Sequence, residues 1–177
     1  MDRKITLATA VAICAMFIGT SAYASDGTIT FTGTISSATC TVKLNGGSST
    51  GTVALPNVSN SVLATATTVA GATAFAINLS SCTTGKTVNA FFEAGTTVDL
   101  LTGNLINTGT ATGVEVQLLT ASATPISVGT VGQATNTGIN TTSTPSGTLN
   151  YIARYYATGA AAAGTVNTNV TYSITYN

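Results

Sequence analysis

Residues 167–177 read NTNVTYSITYN, and apolar side chains occupy every second position over the last eight residues of this stretch. Small polar residues fall between them, which is the period of two that places alternate side chains on one face of a β-strand. Chain ends usually fray unless something holds them. We therefore expect a strand that is held in a sheet and begins near Gly164, with one apolar face made of Val170, Tyr172, Ile174 and Tyr176.

A second alternating stretch lies near the other end of the chain, at residues 27–35. Four threonines, at positions 28, 30, 32 and 34, share one of its faces. The opposite face carries glycines and large apolar residues, namely Gly27, Ile29, Phe31, Gly33 and Ile35. Both stretches are thus predicted to be strands with one apolar face.

The residues between these stretches predict an all-β fold. Short runs rich in Val, Ile, Thr and Ala alternate with turns rich in Gly, Asn and Ser, a pattern typical of an antiparallel sandwich of immunoglobulin-like type. One helical turn is expected within residues 59–67, whereas Ala160–Ala163 is too short to nucleate a helix between its flanking glycines. The predicted strands are 28–44, 52–58, 72–82, 87–95, 112–120, 148–159 and 166–177.

The first residues have the features of a secretory signal peptide. Two basic residues precede a largely apolar run, Ile5–Ile18, and small residues stand at Ala22 and Ala24, as a cleavage site requires. A membrane anchor is the alternative, but the run is shorter than the roughly 20 residues that span a bilayer. We predict that residues 1–24 are removed, Cys14 included, and that the chain is exported.

The composition argues against several classes of function. Only 6% of the residues are charged, and three basic residues remain after cleavage against four acidic ones. Binding of nucleic acid through a basic face is therefore not expected. The chain has no histidine, so no Ser-His or Cys-His pair can activate a nucleophile. We therefore expect that the protein is not an enzyme and that it binds no cofactor or metal. An exported hydrolase is the disfavoured alternative.

Two cysteines, Cys40 and Cys82, remain after cleavage. In an exported protein an isolated pair most simply forms one disulfide. A reactive or metal-binding thiol is the other interpretation. It is disfavoured because the chain has no histidine, no CxxC motif and no basic cluster that would lower a thiol pKa.

Three parts of the chain together resemble the subunits of chaperone–usher pili of the type 1 fimbrial family. Residues 27–40, GTITFTGTISSATC, resemble the donor segment that leads to the first cysteine of that family, and Cys82 stands where the second is expected. Residues 153–177 resemble the ending of the family, with a glycine fourteenth from the end and an aromatic residue next to last. The resemblance implies an incomplete immunoglobulin-like sandwich, completed by a donor strand from a neighbouring subunit.

The resemblance also implies roles for residues and partners. Residues 25–35 would be a donor-strand extension and residues 36–177 the pilin domain. Identical or related subunits, a periplasmic chaperone and an outer-membrane usher would be the partners, in a fibre on the cell surface. The donor strand would use Ile29, Phe31 and Ile35 as plugs and Gly27 and Gly33 for close approach. The acceptor edge that the chaperone recognises would comprise Gly164, Val170, Tyr172, Ile174 and Tyr176.

A secreted, monomeric, carbohydrate-binding β-sandwich is the alternative from another class. Such modules present exposed aromatic platforms, whereas this chain has no tryptophan and its tyrosines at 151–156 and 172–176 fall inside predicted strands. A stable soluble monomer that binds glycans would favour this alternative. The processed chain is also too short to add a receptor-binding domain to a pilin domain, so we expect a rod or adaptor subunit rather than a tip adhesin.

Overall fold

The computed structural model describes residues 27–35, 37–136, 138–141 and 143–177. The chain divides into two compact units, Met1–Ile35 and Ser36–Asn177. The predicted signal peptide lies outside the described residues. Within the first unit, residues 27–35 form neither a helix nor a strand. Among the described residues, no helix is long and apolar enough to cross a membrane.

The second unit is an all-β sandwich of two antiparallel sheets with one turn of 3-10 helix at Asn60–Leu63. Its strands, in the described part of the chain, are β1 (Thr41–Leu44), β2 (Val69–Ser80), β3 (Thr87–Phe92), β4 (Leu105–Ile106), β5 (Thr112–Thr120), β6 (Ile139–Asn140), β7 (Gly147–Ala162) and β8 (Tyr172–Tyr176). The larger sheet has the order β1-β2-β7-β5-β4, and the smaller sheet has the order β6-β3-β8.

The core lies between the two sheets and is built from the inward side chains of alternating strands. Tyr151 of β7 is its centre, because its ring stacks on Phe75 at 5.5 Å and meets the edge of Phe92 at 5.1 Å between centroids. These three rings come from β2, β3 and β7, so they join the larger sheet to the smaller one. Aromatic pairs at such distances stabilise a core beyond the area they bury.

Strand β5 is buried along most of its length, unlike the alternating strands around it. Its outward polar residues are covered and hydrogen-bonded. Glu115 accepts from Thr102 Oγ1 at 2.9 Å and from Asn104 Nδ2 at 3.1 Å, and Gln117 accepts two bonds from Arg154. Buried polar groups are tolerated only when they are paired in this way. The side chains of β5 are therefore buried on both faces of the strand over most of its length.

Several strand predictions differ from the structure at the ends of the elements. The first predicted strand, 28–44, is paired only at Thr41–Leu44, and residues 52–58 form no strand. The last strand begins at Tyr172 and not near Gly164. A strand is defined by its ladder of hydrogen bonds to a neighbouring strand. An alternating sequence that has no such neighbour is therefore not a strand in the structure. The helical turn is confirmed, and Ala160–Ala162 ends β7 rather than forming a helix.

Candidate functional site: an open groove beside the last strand

An open groove of about 1230 Å³ runs along the second unit. Core side chains from both sheets form its floor, among them Ile77, Phe92 and Leu118. Residues 49–63 supply most of one wall, and residues 161–174 supply the other. None of the residues that line the groove is charged. A long apolar concavity of this kind is suited to an extended apolar segment of chain.

The C-terminal wall presents a row of inward apolar side chains. Val166, Val170, Tyr172 and Ile174 are each half-buried and pack against the core, and the residues between them are mostly exposed. Tyr176 continues the row and also packs against the core. The structure therefore places the four residues predicted from the sequence on one face, together with Val166, which the sequence reasoning did not single out.

The backbone of β8 is paired on one side only in the described part of the chain. Thr87 and Asn177 exchange two hydrogen bonds, of 2.8 and 2.9 Å, which fixes the pattern of the ladder with β3. In an antiparallel pair the bonded groups alternate along the strand. The N–H and C=O groups of Tyr172, Ile174 and Tyr176 therefore point away from β3, towards the groove. This is an open sheet edge, which is a template for another strand.

Gly164 lies where the chain leaves β7 and crosses towards the smaller sheet. Its neighbour Thr165 accepts a hydrogen bond from the Ala111 amide at 3.0 Å, and Asn167 accepts one from Thr108 at 2.8 Å. A β-carbon on Gly164 would lie only 2.7 Å from the Ala111 Cα. Gly164 lines the groove, and its local function is to let two backbone segments lie against each other.

The opposite wall was not identified from the sequence as part of a site. Its inward residues are Val42 and Leu44 of β1 and Val53 and Leu55 of the following segment, all half-buried against the core. The alternation of TVALPNV is the signal that could have identified this wall. The sequence predicts a short strand here, with Pro56 indicating an edge or bulge position, whereas in the structure residues 52–58 lie beside the groove without a ladder.

The predicted donor row lies on residues 27–35 of the first unit. Its large side chains are strongly exposed, with Ile29 at 80%, Phe31 at 90% and Ile35 at 102%. A β-carbon added at Gly27 or Gly33 would meet nothing within 4 Å. Nothing within this segment therefore explains why glycine stands at those two positions.

Cys40 and Cys82 form a disulfide, as predicted. It joins the residue before β1 to the loop after β2, next to the paired residues Thr41 and Ser80. The bridge closes a separation of 42 residues, for which the chain-entropy model gives a stabilisation of about 4 kcal/mol. It fastens β1, the edge strand that carries part of the groove wall.

In the described part of the chain two hydrogen bonds join the walls of the groove, and one of them runs from Asn60 Nδ2 to the Ala161 carbonyl oxygen at 3.4 Å. In the other, the Tyr172 hydroxyl donates to the Ser49 carbonyl oxygen at 2.7 Å, and the two residues are 123 positions apart in the chain. Tyr172 belongs to the C-terminal wall and Ser49 to the opposite wall. Burial raises the pKa of the Tyr172 hydroxyl above its ordinary value.

The groove and its open edge define a sandwich with one strand missing, and comparisons with known proteins identify the family. The family model described as "FimA: Type-1 fimbrial protein, A" matches residues 55–177. The chain is 47% identical over 163 residues to the major fimbrial subunit SMF-1 of Stenotrophomonas maltophilia (strain K279a), covering 88% of this chain and 95% of that protein. It is 38% identical to the F17 fimbrial protein of Escherichia coli, over 98% and 99% of the two chains.

The fold agrees with that relationship. A solved structure of a chaperone–usher pilus superposes with a TM-score of 0.61 over 86% of this chain and 96% of the other, at 22% identity. The chain belongs to the type-1 fimbrial protein family. It is a structural subunit of a surface fimbria with an incomplete immunoglobulin-like fold, and the family is not one of enzymes.

Proposed function

We propose that this subunit polymerises by strand donation, in which residues 25–35 of one copy fill the groove of the next. The observation that carries the proposal is the unpaired edge of β8 beside an apolar groove. An incoming strand would hydrogen-bond to the Tyr172, Ile174 and Tyr176 backbone and place its apolar side chains against the apolar lining of the groove. Strand addition of this kind is an established mode of recognition.

The lengths of the two partners match. The inward row that lines the groove extends from Val166 to Ile174, which is nine residues, and the alternating row at residues 27–35 is also nine residues long. A strand rises about 3.3–3.4 Å per residue, so each row spans about 27 Å. Since the strand pairs found in the described residues are antiparallel, we infer the same direction for the donor, with Ile35 near Val166.

The side chains of the donor row account for both affinity and register. Burying Ile29, Phe31 and Ile35 contributes about 5–9 kcal/mol in total, before the cost of ordering the segment. A slip of one residue would place threonines in the groove instead. Gly27 and Gly33 then have a reason, because each lets the donor backbone lie close to a shallow part of the groove.

The same edge explains why helper proteins are needed before assembly. A long unpaired edge beside an open core favours aggregation, so an exported subunit needs a partner that covers it. We infer that a periplasmic chaperone lends a strand to the edge formed by Gly164, Val170, Tyr172, Ile174 and Tyr176. An outer-membrane usher then exchanges that strand for the donor segment of the next subunit. We also propose that residues 1–24 are removed and that residues 36–177 form the pilin domain.

Deleting residues 25–35 tests the donor assignment directly. The shortened subunit should accept a donor strand but should not supply one. Expressed alone it should therefore give no fibres, and co-expressed with the full chain it should shorten them in proportion to its dose. Fibres of normal length from the shortened subunit alone would contradict the assignment. A chain with alanine at Thr30 and Thr32 is the matched control, because these side chains lie on the other face of the donor row.

A further inference from the structure

The hydrogen bond between Tyr172 and Ser49 lies in the path that a donated strand must take. A strand paired with β8 would lie about 4.8 Å from it, on the side of the groove. The Tyr172 side chain crosses that same gap, since its hydroxyl reaches the Ser49 carbonyl on the opposite wall. The tyrosine ring and the inward side chains of the donor therefore compete for the same space.

The position of this bond along the groove is also informative. Tyr172 is paired with Phe92 in the ladder with β3, and Ser49 follows the turn that ends β1, where Leu44 donates to the Ser48 carbonyl at 2.7 Å. Along the C-terminal wall, Val166 and Val170 precede Tyr172 in the chain and Ile174 follows it. The bond thus stands between two sections of the groove.

One partner of this bond belongs to a segment whose conformation is set by glycine. Residues 45–51 read NGGSSTG and are exposed. Asn45 and Gly46 have positive φ angles of 48° and 76°, a conformation that glycine adopts without strain. The other partner is on β8, which is held by the ladder with β3. The start of the loop is held to β2 by hydrogen bonds of Asn45 and Gly46, so opening of the bond releases only the part of the loop around Ser49.

We propose that Tyr172 and Ser49 form a clasp that limits the rate at which the groove takes up a donor strand. The proposal rests on strand donation as the function of the groove. A donor that has filled the section next to Val166 must break the clasp before its remaining residues reach the section next to Ile174. In this proposal Tyr172 has two roles. Its backbone belongs to the acceptor edge, and its hydroxyl slows the uptake of the donor strand.

The test uses the full chain and a fluorescent peptide of residues 25–36, with the peptide in large excess so that binding precedes polymerisation. Tyr172→Phe keeps the ring and removes the hydroxyl. Because one net hydrogen bond is lost from the unfilled state, the peptide should associate about two- to tenfold faster. Tyr156→Phe is the control, since Tyr156 does not line the groove, and it should associate at the wild-type rate.

The possible outcomes separate the clasp from strand donation. Faster association with Tyr172→Phe alone supports the clasp. Equal rates for the wild type and Tyr172→Phe overturn the clasp while strand donation stands. Absence of peptide binding to any chain overturns both. A second measurement uses the unchanged chain: hydrogen exchange of the amides around Ser49 should become faster when the peptide binds, and unchanged or slower exchange contradicts the clasp.

Discussion

Gly164 packs so closely against Ala111 that a β-carbon at position 164 would lie 2.7 Å from the Ala111 Cα and 2.6 Å from the Thr110 carbonyl carbon. At this contact the chain passes from the larger sheet to the wall of the groove. The position of the row of inward apolar side chains on the C-terminal wall thus depends on a glycine that contributes no side chain to it. The glycine fourteenth from the end, by which the chain resembles the ending of the family, has a physical reason in this contact.

Gly164→Ala should destabilise the subunit, because the two backbone segments must separate to admit a methyl group. Overpacking of this kind costs about 1–3 kcal/mol. The midpoint of urea unfolding, followed by circular dichroism on the peptide-filled subunit, measures the effect. Gly159→Ala is the matched control, since a β-carbon there meets nothing within 4 Å. Equal midpoints for the two variants would show that the crossing tolerates a side chain.

Phe31→Ala should weaken donation without affecting the fold of the donor's own sandwich. Phe31 is 90% exposed in the unassembled chain, so its removal leaves no cavity there. Its burial in a neighbour contributes about 1.5–3 kcal/mol, so binding of the 25–36 peptide should weaken about tenfold to a hundredfold. Thr32→Ala, on the other face of the same segment, should bind within about twofold of the wild type. An unchanged affinity for Phe31→Ala would remove this residue from the donor row.

Ile174→Asp should prevent the groove from being filled. Ile174 faces the groove and packs against the core, so a strand placed over the new carboxylate would bury an unpaired charge. The amount of the subunit in the periplasm and its co-purification with a chaperone should both fall. Ser173→Ala, on the outward face of the same strand, removes only a surface hydrogen bond from the Ser173 hydroxyl to Glu93 and should leave both near wild type. Normal accumulation of Ile174→Asp would count against the acceptor edge.

Ionisation of Tyr151 should lower stability at alkaline pH. Tyr151 is 1% exposed, and its burial raises its pKa above the ordinary value of 10.0. The folded state then holds the proton more tightly than the unfolded state. The contribution is therefore fully present below pH 10 and is lost as the pH rises through the folded pKa. In urea unfolding across this range, Tyr151→Phe should lose less stability than the wild type, and parallel losses would contradict the assignment.

Much of the fold follows from local sequence signals. Short runs between turns predicted β2, β3, β5 and β7, period-two alternation predicted β8, and the cysteine pair predicted the disulfide. The alternation is strong in β8 because only one face of that strand is buried, which forces apolar and polar residues to alternate. The helical turn at Asn60–Leu63 was likewise visible in the sequence.

The parts that differed lie beside the groove or in the donor segment. Residues 52–58 and the described residues between 28 and 40 belong to no strand, although the sequence predicts strands there, and the last strand begins at Tyr172. Whether such a segment forms a strand depends on whether another strand lies beside it. A single sequence does not show which segments become neighbours in the fold. The wall at Val53 and Leu55 was missed for the same reason, because its alternation is indistinguishable from that of an ordinary strand.

The central claim is that subunits are linked by a donated strand that fills the groove, and resistance of the link to SDS without boiling tests it most directly. Such a link opens only when much of the core is exposed at once, so it should be kinetically stable. Fibres sheared from the cell surface and run in SDS without boiling should give a ladder of multiples, which collapses to one band after boiling. A single monomer band in both lanes, from intact protein, would contradict strand donation.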